Sequence, residues 1–258
     1  MGPAGRCSPI PNLPRFRESA DASFSNSPIA NRTGATEDRG RGRAGLAVKG
    51  KGLATLYQLK PRFQALLRPW VRHMAARGIT ANQVTLGACL GSILVGLLVG
   101  WGAAYPVLFL LIPIWLLLRM ALNAIDGMLA REFGQKSQLG AYLNEITDVV
   151  SDAALYAPFA LVAPFGPLEV GLVVLLAALS EMAGLQGLTL GASRRYDGPF
   201  GKSDRALAFG ALGFWIGIGG ARPDWLHWIM PLMALALAAT VANRVRAGLA
   251  EARSKITG

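Results

Sequence analysis

The feature that most constrains this chain is a series of six apolar segments separated by short polar stretches. The segments are residues 79–100, 104–125, 139–163, 168–190, 204–221 and 225–246. Several approach the roughly 20 residues that a helix needs to cross a hydrocarbon core about 30 Å thick. Lipid offers no partner to unpaired backbone groups, so spanning segments must be helical. The sequence therefore predicts an all-α, polytopic membrane protein with six transmembrane helices.

The composition and the charge distribution favour the same class. Of the 258 residues, 52% are hydrophobic and only 16% are charged, whereas soluble domains average about 25% charged residues. A net charge of +11 would suggest nucleic-acid binding in a soluble protein, but here Lys and Arg crowd the N-terminal third, alternate connections and the C-terminus. That pattern is typical of cytoplasmic flanks facing anionic head groups. We expect a lipid bilayer and no nucleic acid as partner, with both termini on the cytoplasmic side of the inner membrane.

The chain divides into three regions. Residues 1–53 are rich in Gly, Ser, Pro and Arg without periodicity, which predicts a disordered basic tail. Residues 54–250 would form the membrane domain, and residues 251–258 a short cytoplasmic tail. Before the first span, apolar residues recur at helical spacing among Lys and Arg: Leu59, Phe63, Leu66, Leu67, Trp70 and Val71. This predicts an interfacial amphipathic helix, with packing on a protein core as the alternative.

Polar residues interrupt the end of the second apolar segment and the start of the third. The first group is Asn123, Asp126 and Arg131; the second is Gly140, Asn144, Asp148 and Asp152, which are four apart and form one helical stripe. Carboxylates at this depth are costly unless they meet water, a cation or each other. Oxygen ligands without nearby His or Cys favour Mg²⁺ or Mn²⁺ over zinc. We predict that the two groups form a functional site at the cytoplasmic face.

The spacing of these residues resembles the signature of the CDP-alcohol phosphatidyltransferases, DxxDGxxAR followed after eight residues by GxxxDxxxD. The corresponding positions are Asn123, Asp126, Gly127, Ala130, Arg131, Gly140, Asn144 and Asp148. The gap lengths all match, and the six-segment layout extends the resemblance over roughly residues 54–250. Members of that family transfer a phosphatidyl or similar group from a CDP-linked donor, such as CDP-diacylglycerol, to an alcohol and release CMP in phospholipid synthesis.

The resemblance implies an enzyme that uses Mg²⁺ or Mn²⁺ and forms a homodimer. It implies metal ligands at Asn123, Asp126, Asn144 and Asp148, and Asp148 is also where the family has its proposed base. It further implies small residues that let the nucleotide approach the helix backbone, with an arginine near the phosphates or cytidine. Those positions are Gly127, Ala130, Gly140 and Arg131.

This sequence departs from the family pattern at Asn123 and Asn144, where the family has acids. The formal charge of the four ligands falls from about −4 to about −2, which favours one cation, or a second one completed by substrate phosphates. Glu145 and Asp152 are near enough to act as substitutes. The departure keeps open a second hypothesis, a catalytically impaired relative that binds CDP-lipid or a membrane partner. A transporter is a third hypothesis, but no internal repeat supports it.

Two charged residues outside the motif also lie within apolar segments. Arg119 is one turn before Asn123 and could either counterbalance the carboxylates or hold a phosphate. Glu181 lies inside the fourth segment. It could act in catalysis, or it could pair with Arg119 or cap a polar contact.

The loop RRYDGPFGKSDRA, residues 194–206, is expected on the same side as the motif. It could bind an anion through Lys202, Ser203 and Arg205, or it could be only a positively charged cytoplasmic connection. The family often has a glycine–lysine loop here that helps to bind the acceptor. The basic loop therefore favours an acceptor alcohol that bears phosphate.

Overall fold

Seven α-helices make up residues 51–257, the part of the chain that this computed structural model describes; side chains are described for residues 62–256. The helices are α1 (Lys51–Ala76), α2 (Ala81–Trp101), α3 (Leu111–Glu132), α4 (Gln138–Tyr156), α5 (Pro167–Thr189), α6 (Lys202–Gly217) and α7 (Ile229–Thr257). Short 3₁₀ segments precede α3, follow α4 and precede α7. The described residues contain no strand, so the all-α prediction is confirmed there. Residues 1–50 of the predicted tail lie outside the described residues.

Helices α2 to α7 correspond to the six predicted spans, and four of the six are long and apolar enough to cross a membrane. These stretches are Ala81–Trp101, Pro106–Glu132, Pro167–Thr189 and Asp224–Ile256. The other two helices, α4 and α6, do not meet these criteria of length and apolar composition. α4 has 19 residues but carries three carboxylates, and α6 has 16 residues, or about 24 Å at 1.5 Å per residue. That length is less than a hydrocarbon core of about 30 Å, so spanning by α4 and α6 stays a prediction.

Side-chain caps begin the helices that carry the site. Thr80 and Gln83 form a capping box at the start of α2: Thr80 Oγ1 accepts from Gln83 N at 3.2 Å, and Gln83 Oε1 accepts from Thr80 N at 2.9 Å. Ser137 Oγ accepts from Gly140 N at 2.9 Å and begins α4. Such caps satisfy amide groups that have no partner within the helix. They set where α2 and α4 begin beside the end of α3.

The core consists of aromatic and aliphatic side chains between α3, α4, α5, α6 and α7. Tyr156 stacks on Phe209 with ring centroids 3.8 Å apart, and Phe159 meets Phe209 edge-on at 5.1 Å. On the other side, α2 approaches α4 so closely that a Cβ at Gly96 would overlap the backbone of Ala154. Small residues permit this close approach, as is usual between helices in membranes. α4 is therefore held between α2 and α5.

Large apolar side chains cover the outward faces of the helices. Leu90, Leu94, Leu97, Leu117, Leu172, Leu175, Leu232 and Leu235 are all exposed. A soluble monomer rarely shows so extensive an apolar surface, whereas hydrocarbon chains would cover it at little cost. The fold thus fits a polytopic membrane protein.

Helix α1 packs on α3 through one face and leaves another exposed. Val71 is fully buried against α2 and α3, with Leu67 and Met74 partly buried beside it. Leu66 and Trp70 remain exposed. The helix is therefore amphipathic and contacts the protein, which was the alternative interpretation. A role of its exposed face at the membrane interface stays a prediction.

Candidate active site

Asp126 lies on α3 and faces α2 rather than lipid. Asp126 is 6% exposed, and its Oδ2 accepts a hydrogen bond of 2.8 Å from Thr85 Oγ1 on α2. A buried carboxylate needs such a donor because burial removes its water. The hydroxyl of Thr85 was not among the predicted site residues, although Asn82 and Thr85 are polar residues one turn apart in an apolar helix.

Asp148 lies on α4 and holds two cations. Its Oδ1 accepts from Arg119 Nη2 on α3 at 3.0 Å, and its Oδ2 forms an ion pair with Lys202 Nζ at the start of α6. The charges of Asp148 and Lys202 both act on Asp126. Asp126 and Asp148 therefore lie within electrostatic range of each other, and their shared role at one metal site stays a prediction.

Ion pairs extend from this site into the core. Arg119 Nη1 lies 2.5 Å from Asp152 Oδ1, and Arg205 Nη2 lies 3.1 Å from Asp152 Oδ2 and 3.0 Å from Glu181 Oε1. The suggested pair of Glu181 with Arg119 is thus wrong, because Arg119 is oriented toward α4 while Glu181 faces α6 and α7. Arg244 of α7 also contacts Glu181, at 3.4 Å.

A cavity of about 510 Å³ opens between α2, α3 and α4. The four residues predicted to approach the nucleotide line it, together with two of the predicted metal ligands: Gly127, Ala130, Arg131 and Gly140, and Asp126 and Asn144. A Cβ at Gly127 would lie 2.8 Å from Nη2 of Arg131, so the absent side chain leaves room for that guanidinium. The basic group therefore lies directly over the helix backbone of the motif.

Gly140 faces the start of α2 across this cavity. A Cβ there would lie 2.7 Å from Asn82 Oδ1 and 2.9 Å from Ser137 Oγ. Gln135 joins the same region, because its Oε1 accepts from Ala81 N at 2.7 Å. Asn82 and Gln135 were not predicted as site residues, since neither belongs to the motif.

Glu145 and Arg194 close one side of the same cavity. Both Arg194 terminal nitrogens donate to the Glu145 carboxylate, with Nη2 to Oε2 at 2.9 Å, and the guanidinium lies 5.0 Å from the ring centroid of Tyr196. Partial burial disfavours the charge of Arg194, but the bonds to Glu145 outweigh it and leave the pKa of Arg194 above its ordinary value. Glu145 thus has a cation of the 194–206 loop as its partner.

A second cavity of about 610 Å³ lies between α3 and α6. Its polar end is formed by Arg119, Asn123, Lys202 and Ser203, and its remaining walls are mostly apolar. Asn123 therefore lies on the α3–α6 side, whereas Asp126 and Asn144 line the first cavity. Arg205, the third predicted loop residue, lines neither of these two cavities and is 1% exposed. Lys202, the partner of Asp148, also lines this second cavity.

Fewer acidic side chains meet at this site than in a metal centre whose ligands are all carboxylates. Among residues 62–256, no group of three or more His, Cys, Asp or Glu side chains could hold a metal ion. A hard cation on Asp126 and Asp148 would have to take further oxygens from the amides of Asn123 and Asn144 or from a ligand's phosphates.

Comparison with known proteins agrees with the resemblance of the motif to the CDP-alcohol phosphatidyltransferases. The model of the CDP-alcohol phosphatidyltransferase family matches residues 78–242. Inner membrane protein YnbA of Escherichia coli is 48% identical over 198 residues, which are 76% of this chain and 96% of that protein. Phosphatidylinositol phosphate synthase of Streptomyces avermitilis is 30% identical over 128 residues, 47% of this chain and 48% of the synthase. Archaetidylinositol phosphate synthase of Pyrococcus horikoshii is 31% identical over 109 residues, 41% of this chain and 54% of the synthase. The chain belongs to the CDP-alcohol phosphatidyltransferase family.

Proposed function

We propose that this chain transfers a phosphatidyl or related phospho-alcohol group from a CDP-linked donor, such as CDP-diacylglycerol, to an alcohol and releases CMP. The observation that supports the proposal is that Asp126 of α3 lines one cavity with Gly127 and Arg131, within electrostatic range of Asp148 of α4. Family membership supports head-group transfer in general. The names of the two synthases support a role in phospholipid synthesis.

The donor nucleotide would bind in the cavity between α2, α3 and α4. Gly127, Ala130 and Gly140 leave the helix backbones accessible there, and Arg131 and Lys136 supply positive charge for a diphosphate. The polar side chains of Asn82 and Gln135 would face the base or the ribose. A cavity of about 510 Å³ is within the usual range for small-molecule sites, roughly 300–1,000 Å³.

The acceptor would reach Asp148 from the α3–α6 side, where Lys202 and Ser203 lie. Asp148 would take the proton of the acceptor hydroxyl on Oδ2 as the oxygen bonds to the phosphorus of the donor. The bond from that phosphorus to the CMP oxygen breaks, and CMP leaves toward the first cavity. Lys202 forms an ion pair with Oδ2, so it would have to move away from Asp148 when the acceptor arrives.

Enzymes of this family are generally metal-dependent. The residues present fit one hard cation, Mg²⁺ or Mn²⁺, because Asp126 and Asp148 could supply carboxylate oxygens and Asn144, which lines the same cavity as Asp126, an amide oxygen. Asn123 lines the second cavity and would have to reach the ion from that side. When bound, the cation would offset the charge of the diphosphate. They fit two such ions less well, since both oxygens of Asp148 already face cations of the chain.

The arrangement in the membrane belongs to the same proposal. Residues 54–250 would form one domain with six spans, α1 would lie at the interface, and the site would face the cytoplasm. The positively charged 194–206 loop beside the site supports this orientation, and the name of the Escherichia coli relative supports the inner membrane. We propose a homodimer from the family resemblance.

Release of CMP tests the proposal. Purified protein in detergent with Mg²⁺ and CDP-diacylglycerol should form CMP when the right alcohol is present. Asp148→Asn should abolish turnover while the thermal unfolding midpoint stays near that of the wild type. No CMP with a broad set of alcohols would contradict the transferase function, and full activity of Asp148→Asn would remove the assigned base.

A binding protein without turnover is the second candidate function. Asn123 and Asn144 stand where the family has acids, and Asp148 is paired with Arg119 and Lys202. The double variant Asn123→Asp with Asn144→Asp separates the two. CMP release that appears only in the double variant, together with donor binding by the wild type in calorimetry, would identify the natural chain as a binder.

A further inference from the structure

The cations closest to Asp148 are already paired with carboxylates of the chain. Lys202 pairs with Asp148, Arg119 bridges Asp148 and Asp152, and Arg205 bridges Asp152 and Glu181. A negatively charged acceptor would need one or more of these cations to approach the reacting hydroxyl. Each of them would first have to leave a carboxylate.

Glu181 is the point where three arginines converge. Its carboxylate lies 3.0 Å from Arg205, 3.4 Å from Arg244 and 3.7 Å from Arg194. Two or three guanidinium groups around one anion are the arrangement that proteins use for a phosphate. Here a side chain of the protein occupies the position that a phosphate would take among them.

On the side of Glu181 that faces Asp152 and Arg205, there is no room for a second anion. The cavity there, lined also by Asp152, Tyr156 and Arg205, has a volume of about 10 Å³, which is about enough for one water molecule. Within the described residues, Arg205 Nε and the Tyr156 hydroxyl have no hydrogen-bond partner, and one water would satisfy them. A phosphate could enter only if the Glu181 side chain moved out.

The charges around the site balance without a further anion. The five cations Arg119, Arg194, Lys202, Arg205 and Arg244 form ion pairs with the four carboxylates Glu145, Asp148, Asp152 and Glu181. Asp126 is a fifth carboxylate within electrostatic range of Lys202. The diphosphate of a CDP-linked donor would face Arg131 and Lys136 of the donor cavity, together with a divalent cation. An acceptor phosphate would add a charge of about −1.5 to −2 at pH 7, and no uncommitted cation of this set would compensate it.

We propose that the acceptor alcohol carries no phosphate, and that Glu181 is the residue that excludes phosphorylated alcohols. This rests on the proposed transferase function and names its substrate class: an uncharged or zwitterionic alcohol. It reverses the expectation from the basic loop, whose Arg194, Lys202 and Arg205 are committed to Glu145, Asp148, Asp152 and Glu181.

Matched pairs of alcohols test the proposal in the full-length protein. CMP release from CDP-diacylglycerol is measured with glycerol against glycerol 3-phosphate, and with myo-inositol against myo-inositol 1-phosphate. For each pair of alcohols that supports CMP release, we expect kcat/KM to be at least about tenfold higher for the phosphate-free member, because the cations nearest the reacting hydroxyl are already paired with carboxylates. A preference for the phosphorylated member overturns the proposal. This comparison uses only the wild-type protein.

Glu181→Gln tests the role of the residue itself. The variant keeps the shape of the side chain but removes its negative charge from beside Arg205 and Arg244, so the relative kcat/KM for phosphorylated alcohols should rise by about tenfold or more. Glu251→Gln is the matched control, because Glu251 pairs instead with Arg195 and Lys255, and its ratio should stay at the wild-type value. An unchanged ratio in a folded Glu181→Gln protein overturns the assignment.

A binding measurement separates this inference from the proposed function. Calorimetry with glycerol 3-phosphate needs no turnover, so it tests whether the protein excludes a phosphorylated alcohol even if no alcohol supports CMP release. Saturable binding to the wild type overturns the inference, and binding to Glu181→Gln alone supports it. Binding to neither protein removes Glu181 as the cause of exclusion. Failure of the transferase proposal, in contrast, is the absence of CMP with every alcohol.

Discussion

Arg119 on α3 holds the main chain and the side chain of Asp148 on α4. Its Nη2 lies 3.0 Å from Asp148 Oδ1 and 3.1 Å from the Asp148 carbonyl oxygen, while its Nη1 lies 2.5 Å from Asp152 Oδ1. One guanidinium therefore sets both the rotamer of Asp148 and the position of the α4 turn that carries it. The planar fork of donors in arginine is suited to such a role, and the point charge of lysine is not.

We expect Arg119→Lys to fold but to lose turnover. The ammonium keeps the charge near Asp152 but cannot make the three contacts at once, so Asp148 would be less well oriented and kcat should fall by about tenfold to a hundredfold. The KM for the donor should change little, because Arg119 does not line the donor cavity. Steady-state kinetics and thermal unfolding in detergent measure both effects.

The control for this prediction is Arg68→Lys. Arg68 pairs with Glu132 at 3.0 Å in an exposed position, where an ion pair contributes at most about 1 kcal/mol. If Arg119→Lys keeps the wild-type kcat, the contacts of the Arg119 guanidinium have no part in orienting Asp148.

Thr85→Val tests the partner of Asp126. Valine has nearly the same shape, so the substitution removes the 2.8 Å hydrogen bond to Oδ2 with little change in packing. A hydrogen bond to a charged group contributes about 1.5–3 kcal/mol, and we expect turnover to fall by about tenfold or more. Thr189→Val is the control, since Thr189 Oγ1 donates only to Gln186 O within α5. Equal kinetics of the two variants would contradict a role for Thr85.

Gly140→Ala should impair donor binding. The added Cβ would lie 2.7 Å from Asn82 Oδ1, so Asn82 or the start of α4 must shift at the wall of the donor cavity. We expect the KM for CDP-diacylglycerol to rise, measured by CMP release at saturating alcohol. Gly171→Ala on α5 is the control because a Cβ there has no other atom within 4 Å. It should leave KM unchanged, and an unchanged KM in Gly140→Ala would refute the assigned position of the donor.

Lys202→Met should strengthen binding of a divalent cation. The ammonium competes for Asp148 Oδ2, and two unit charges about 4 Å apart near a protein surface interact by about 4 kcal/mol. We expect the apparent affinity for Mn²⁺, measured by electron paramagnetic resonance on the donor-free protein, to rise at least about tenfold. Lys255→Met, which removes the exposed pair with Glu251, should have no effect. Weaker Mn²⁺ binding in Lys202→Met would mean that Lys202 supports the cation site.

Much of the fold could be predicted because it depends on local properties of the chain. The predicted segments 79–100 and 168–190 correspond to α2, Ala81–Trp101, and α5, Pro167–Thr189. Long apolar segments have to satisfy their backbone groups internally, so their length and position already define a helix. The polar stripes could be predicted for a similar reason, because residues three or four apart on a helix share a face. One such face of α3 carries Asp126, and one such face of α4 carries Asp148.

The sequence alone determined which helices form and which helix faces carry carboxylate and amide side chains. Only the tertiary structure decided which charges meet, because partners such as Arg119 and Asp148, 29 residues apart, or Arg205 and Asp152, 53 residues apart, are brought together by helix packing. The same packing directs Arg205 and Arg244 to Glu181 and Lys202 to Asp148. An ion pair depends on a distance of a few ångströms between side chains, and spacing along the chain does not determine that distance between separate helices.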